Sequence, residues 1–187
     1  MKNTTSNWAK IKSSGIHNKG IFATRDIPKG TKIIEYVGEK LTKKQSDKRA
    51  DEITELHEKN KDYGAVYIFE VNKRHDIDGS VKWNTARYIN HSCDPNCESD
   101  IIKEKVWIIA LKDIKKGEEL TYDYGYDIDD YESHPCKCGA KNCAGYIVAQ
   151  EDWPKLRRRL AYKKKKKKFI SNPRNTTKQS IEEPFFL

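Results

Sequence analysis

No apolar run in this chain approaches the ~20 residues that a membrane-spanning helix needs, and its first residues lack the apolar core of a secretory signal. A soluble, intracellular chain is therefore expected. Apolar residues are sparse, 36% against 35% charged, which implies a highly charged surface and some chain outside the core. At 187 residues the length fits one domain with appendages and is sufficient for a real core. An even set of cysteines is missing too. The count is five, two of them close-spaced in Cys136-Lys137-Cys138, which disfavours a disulfide framework and favours metal ligation. Nor is the formal charge of +9 spread over the domain: residues 155–187 hold 12 Lys/Arg against two acids, so residues 1–154 carry a net −1. A folded part this close to neutral is a weak nucleic-acid binder, and only the tail is strongly basic. Between Glu118 and Glu132 there is no Lys or Arg among seven acids, and no internal repeat is visible.

What is present reads as many short strands and one helix. Residues 1–14 are polar around a single Trp8 and are expected to form a loose arm. Ile21-Phe22 and Thr31–Val37 read as strands parted by Pro28-Lys29-Gly30, where Pro sets φ and Gly relieves the bend. From Thr42 to about Lys59 the pattern turns helical, with Thr42 as N-cap, Gln45 three residues on, and a thin stripe of Ala50, Ile53, Leu56 and His57 that marks a surface helix. Ala65–Val71 and Ile77–Val81 alternate as strands. Ser99–Leu111 reads as a hairpin whose second arm, Val106–Leu111, is apolar enough to be buried on both faces. Lys115-Lys116-Gly117 is a turn before the Leu120–Tyr124 strand. The class is α+β, mostly β.

Within Arg87-Tyr88-Ile89-Asn90-His91-Ser92-Cys93-Asp94-Pro95-Asn96-Cys97, polar side chains stand where a strand should be apolar. Burying Asn90, His91, Ser92 and Asp94 costs free energy unless they are paired, so a bound polar ligand is the simplest reason for packing them. A tight Asp94-Pro95 turn is the plainer alternative. Two further segments weigh on this: Gly15–Phe22 leading into Glu35-Tyr36-Val37-Gly38, and Glu119-Leu120-Thr121-Tyr122-Asp123-Tyr124 followed by Cys136-x-Cys138-x4-Cys143. Together, in this order over roughly residues 12 to 148, they resemble a SET-domain protein lysine methyltransferase with a cysteine-rich post-SET tail, most similar to the trithorax-type group.

The resemblance implies small curved sheets with a knot-like crossing at Asn90–Pro95, one surface helix and a zinc-clamped post-SET segment. It divides the chain into an N-terminal arm (1–11), the SET domain (12–126), the post-SET zinc segment (127–150) and a basic, flexible tail (151–187). The implied reaction is transfer of a methyl group from S-adenosylmethionine to a neutral lysine amine. Tyrosines suit such a channel, since their rings enclose the aliphatic stem and their hydroxyls orient the nitrogen. By the resemblance Tyr124, Tyr122 and Tyr67 are the catalytic positions, and Tyr67, Phe69 and Tyr122 bind the substrate lysine. Tyr122 holds the position that sets how many methyl groups fit, so monomethylation is expected. The cofactor positions are His17, Asn18, Lys19, Gly20, Tyr36, Arg87, Asn90, His91 and Tyr146. Asn18 departs from the glycine common there, although asparagine tolerates left-handed backbone.

Cys136, Cys138 and Cys143 supply three thiolates, one fewer than structural zinc prefers. Cys93 and Cys97 remain, and the resemblance implies Cys93, with Cys97 an ordinary buried thiol. The acids between Glu118 and Glu132 suit a basic substrate such as a histone tail. The basic tail has three open roles: nucleic-acid or nucleosome contact, a nuclear address, or a substrate of automethylation. The implied location is nuclear or chromosomal in a eukaryotic or host-directed setting and cytoplasmic otherwise. The alternatives are a non-catalytic chromatin-binding module and a small zinc-stabilised nucleic-acid-binding protein.

Overall fold

The computed structural model describes residues 4–59 and 67–170. Among the described residues ten strands form three small sheets: β1 (Ala9–Ser13), β2 (Lys19–Ala23), β10 (Glu119–Tyr122) and β7 (Asn90–His91); β3 (Lys32–Tyr36), β9 (Lys105–Ala110) and β8 (Cys97–Ile102); and β4 (Glu39–Thr42), β6 (His75–Asp78) and β5 (Ile68–Glu70). They share one core of buried residues from Ile21 through Ile34, Ile89, Val106, Ile108 and Ile114 to Leu120 and Tyr122. This is the expected α+β, mostly β class. The turns at Gly30 (φ 81°) and Gly117 (φ 94°) use the left-handed backbone that glycine adopts without strain.

Helix α1 (Lys43–Lys59) starts on the expected capping box: the Gln45 N–H donates to Thr42 Oγ1 at 3.4 Å, and the Thr42 N–H donates to Gln45 Oε1 at 2.9 Å. Its apolar stripe is thinner than the pattern suggests, with Leu56 41% exposed, and His57's side chain lies outside the described residues. Ion pairs fasten the helix instead. Arg49 reaches Glu39 (2.8 Å) and Asp78 (2.7 Å), and Lys43 reaches Asp76 (2.6 Å).

Several expectations are corrected. Residues 9–13 are not part of a loose arm but strand β1, paired antiparallel to β2 from Ala9↔Ala23 to Ser13↔Lys19. An edge strand needs backbone partners more than apolar side chains, and the outer residues of β1 are exposed. Strand β9 is buried on one face only: Val106, Ile108 and Ala110 are inside, while Trp107 and Ile109 are half-covered, with Lys32 over the Trp107 ring. Strand β6 ends at Asp78, well short of Val81, and β5 begins at Ile68, residues 65–66 lying outside the described part.

The basic tail differs most. Trp153–Ile170 is a continuous helix, α2. Lys, Arg, Leu and Ala are strong helix formers, and Pro154 falls in the first turn, where its missing N–H costs little. Leu156 is buried in a second cluster with Ile128, Tyr131 and Val148, against which Leu160 packs. Arg159 donates to the Ile128 carbonyl and pairs with Asp129 (both 3.0 Å), and Lys163 pairs with Glu132 at 2.6 Å. The acidic stretch thus provides α2 with its seat.

Candidate active site

A row of aromatic rings runs outward from the core. Tyr36 packs on Phe69 (centroids 4.6 Å apart), Phe69 on Tyr122 (5.9 Å), Tyr122 on Tyr124 (5.0 Å), Tyr124 on Tyr126 (5.6 Å) and Tyr126 on His134 (4.8 Å). Burial raises the pKa of Tyr36, Tyr67, Tyr122, Tyr124 and Tyr126, the last to about 12, and Tyr67 adds to the rise in the other four. All of them stay protonated at neutral pH.

Strand β10 stops at Tyr122 because the next residues find other partners. Gly125 N–H turns back to Asp123 Oδ1 (3.1 Å), and Tyr124 N–H donates to His91 Nδ1 (3.3 Å). The Tyr124 hydroxyl donates to the Ile89 carbonyl at 2.9 Å. Tyr124 is thereby tied at both ends to the polar segment, whose strand β7 runs parallel to β10 with Asn90 opposite Thr121 and His91 opposite Tyr122.

That segment is buried and bonded. Asn90 Nδ2 donates to the Lys19 carbonyl (3.0 Å) and Glu119 Oε1 (2.7 Å), with Ser14 Oγ at 3.2 Å. Ser14 in turn donates to Glu119 Oε1 at 2.8 Å. A Cβ on Gly20 would lie 2.2 Å from Glu119 Oε1, so a side chain there would push this carboxylate away from its place. Asn18 holds φ 33°, the left-handed backbone that asparagine tolerates, and its carbonyl accepts the Ser14 N–H at 3.1 Å. His17 and Lys19 are exposed, Lys19 over the Tyr88 ring. Arg87 donates to the Ser80 carbonyl and the Tyr88 hydroxyl, and its Nε is buried with no partner among the described residues.

On the other side of the same segment, Cys93, Cys136, Cys138 and Cys143 gather with all four sulfurs within 4.8 Å of one another. Cys93 Sγ is 3.8 Å from both Cys136 Sγ and Cys143 Sγ. A tetrahedron with metal–sulfur bonds of ~2.3 Å has edges of about 3.8 Å, so this spacing suits a zinc ion and is far too long for a disulfide. Burial pushes the Cys93 thiol up to about 12. Cys138 falls to about 7, because backbone N–H groups of Cys93 and Ala140 and its thiol neighbours outweigh its burial. A dication would let all four ionise together. Asn142 Nδ2 and Gln150 Nε2 close the arrangement by donating to the Cys93 carbonyl. Cys97, fully buried and away from the cluster, has its thiol raised to about 12 by burial.

A polar segment held between a tyrosine-bearing strand and a four-cysteine cluster has counterparts in other proteins. The family model described as SET domain matches residues 18–125. This chain belongs to the SET-domain family. It is 39% identical over 151 residues to the histone-lysine N-methyltransferase trithorax of Drosophila virilis, a match covering 79% of this chain and 4% of that protein. It is 40% identical over 139 residues to histone-lysine N-methyltransferase 2D of Homo sapiens, covering 72% of this chain and 2% of the relative. The H3 lysine-4 specific histone-lysine N-methyltransferase of Saccharomyces cerevisiae is 42% identical over 143 residues, covering 72% and 12%. The chain therefore spans only a small fraction of the length of these relatives.

The SET domain brings together Phe69, Tyr122 and Tyr124 in one row of rings, joins Tyr67 to that row through its carbonyl and the Tyr36 hydroxyl, and brings Asn90 to Lys19. Two further residues expected at the cofactor, Tyr36 and Tyr146, make other contacts. Tyr36 is 2% exposed in the core, its hydroxyl donating to the Tyr67 carbonyl. Tyr146 stands edge-on to Tyr131 in the second cluster (4.9 Å), and no hydrogen bond or ring contact among the described residues joins it to Asn90 or Arg87. The acidic stretch is largely engaged within the chain: Glu119 by Asn90, Asp129 by Arg159, Glu132 by Lys163, and Asp130 by His134 at 2.9 Å. Sequence reasoning missed Ser14 and the place of Glu119 in the Asn90 network. The pairing of a motif glutamate with a conformationally free Gly20 was the one available signal.

Proposed function

We propose that this chain is an S-adenosylmethionine-dependent protein lysine N-methyltransferase acting on a lysine of a histone or another basic protein, with zinc in the four-cysteine cluster. The observation that carries this reading is the double tie of Tyr124, whose hydroxyl and amide both meet the segment that bears Asn90 and His91. A ring row suited to an alkyl chain thus meets a buried polar segment at Tyr124.

The residues fit the cofactor in one respect: Arg87 Nε is buried and needs an acceptor. His17, Asn18, Lys19, Gly20, Arg87, Asn90 and His91 would hold S-adenosylmethionine, with Tyr36 acting by supporting Phe69 and Tyr67. Bound there, S-adenosylmethionine supplies a methyl group on a sulfonium sulfur. Tyr67, Phe69, Tyr122 and Tyr124 enclose the stem of the substrate lysine. A lysine amine with pKa of ~10.4 must shed its proton to solvent before it can accept a methyl group, and apolar walls favour the neutral form. The tyrosine hydroxyls, kept protonated by burial, offer no anion that would hold the ammonium. Tyr124 orients the amine, and Tyr122 limits the space around it, so monomethylation is the expected product.

Residues 12–126 form the catalytic unit and 127–150 the zinc segment that closes over it. The names of the relatives support a histone target and a nuclear place of action; among the described residues no helix is long and apolar enough to cross a membrane. The test is transfer of radiolabel from S-adenosylmethionine to core histones, followed by a peptide array to find the lysine, with the histone H3 tail as the first peptide. Transfer that is about 10²-fold slower in Y124F supports the reading; no transfer to any histone or basic protein rejects it.

A further inference from the structure

Helix α2 has two unlike sides. Leu156, Arg159, Leu160 and Lys163 face the domain, seated on Ile128, Asp129, Tyr131 and Glu132. At 100° per residue, Arg158 and Lys165 point away from that face and Arg157 and Lys164 lie on the flank next to them, and all four are exposed. None of them takes part in a salt bridge among the described residues, whereas Arg159 and Lys163 do. Four cations thus form a stripe fixed in direction by the anchored face. From Arg157 to Lys165 the helix rises about 12 Å, a reach of about three to four phosphates along one strand of a duplex.

We propose that the outward stripe of α2 is a docking surface for the phosphate backbone of double-stranded DNA, holding the domain on DNA without reading sequence. Charge complementarity selects a polyanion. The fixed, straight geometry favours a regular duplex over a flexible single strand. A lipid surface suits it less, because a helix lying on a membrane buries an apolar face. Here Leu156 and Leu160 are already turned to the domain, and the exposed apolar residues of α2, Phe169 and Ile170, are adjacent at its end and form no face along it. The residues that a sequence reading treats as a loose tail become a lever whose inner contacts set the orientation of the outer ones.

The test measures binding of the full chain to a labelled 30-bp duplex of mixed sequence over a range of salt. Wild type should bind with an affinity that falls steeply with salt. The variant R157Q/R158Q/K164Q/K165Q should bind about tenfold or more weaker at low salt, with the slope of log affinity against log salt reduced by about 3 to 4. Its rate on a short basic peptide should be unchanged, since none of these residues belongs to the proposed catalytic machinery. As a readout that needs no variant, saturating duplex should protect Lys164 and Lys165 of the wild type from amine acylation, followed by mass spectrometry. Equal duplex affinity of variant and wild type, or equal acylation with and without duplex, overturns the proposal. So does tighter binding to single-stranded RNA or phosphatidylserine vesicles than to duplex.

Discussion

Tyr124 gives its backbone N–H to Nδ1 of His91 at 3.3 Å. With Nδ1 accepting, a neutral imidazole carries its proton on Nε2, which lies 3.6 Å from Cys93 Sγ. Burial lowers the pKa of His91, opposed by Asp123, which favours that neutral form. One ring therefore spans from the proposed catalytic tyrosine to a cysteine of the four-cysteine cluster. Replacing His91 by Leu should weaken zinc about 10- to 100-fold in chelator competition. It should also lower kcat more than it raises KM for peptide, because Tyr124 loses its anchor.

Metal analysis should find about one zinc per chain in wild type and a clear loss in Cys136→Ser. Stripping zinc should raise amide exchange across 136–149 while β8 and β9 stay protected, since Cys93 alone links the cluster to the segment leading into β8.

Product state tests Tyr122, which is 7% exposed and packed between Phe69 and Tyr124. Tyr122→Phe removes a hydroxyl without moving the ring, so mass spectrometry of the peptide should show dimethyl and trimethyl products where wild type stops at one. Tyr124→Phe should instead lower the rate by about 10²-fold with the product state unchanged.

Asn90 joins Lys19 to Glu119, and its loss leaves the carboxylate short of a donor in a buried place. Asn90→Ala should reduce S-adenosylmethionine affinity by about tenfold in calorimetry, the loss expected when a buried charge-assisted bond goes unmade. Gly20→Ala should do at least as much, because its methyl collides with Glu119.

Stability in acid rests partly on Asp78. Burial acts to raise its pKa, but the Ser80 N–H and Arg49 outweigh it and hold the carboxylate below its usual range. A depressed carboxylate contributes stability that is present above its unfolded pKa of ~3.9 and is lost as pH falls through the folded value. Arg49→Met should cost about 2 kcal/mol near neutral pH and shift acid unfolding to higher pH, as read by urea melts from pH 3 to 7.

Much of the site was legible because its residues are contiguous in sequence and chemically out of place in a strand. Arg87–Cys97, Glu119–Tyr124 and the cysteine spacing each carry an unusual set of groups, and the Thr42–Gln45 capping box is local enough to read directly. Strand β1 was not legible, since its pairing with β2 is made by backbone and leaves no apolar pattern. The packing of Tyr36 in the core and of Tyr146 on Tyr131 was not legible either, because identity and position do not reveal which way a ring points.

By itself the sequence determined the chemistry available: which side chains exist, their order, the odd cysteine count and the basic end. Those properties are local, set by composition and short spacing. Only the tertiary structure decided which of them meet. Cys93 reaches Cys136 across 43 residues, Asn90 reaches Glu119 across 29, and Arg159 reaches Asp129 across 30. Such contacts depend on three sheets sharing one core, and on an acidic loop that neutralises one face of a helix and so directs the other outward.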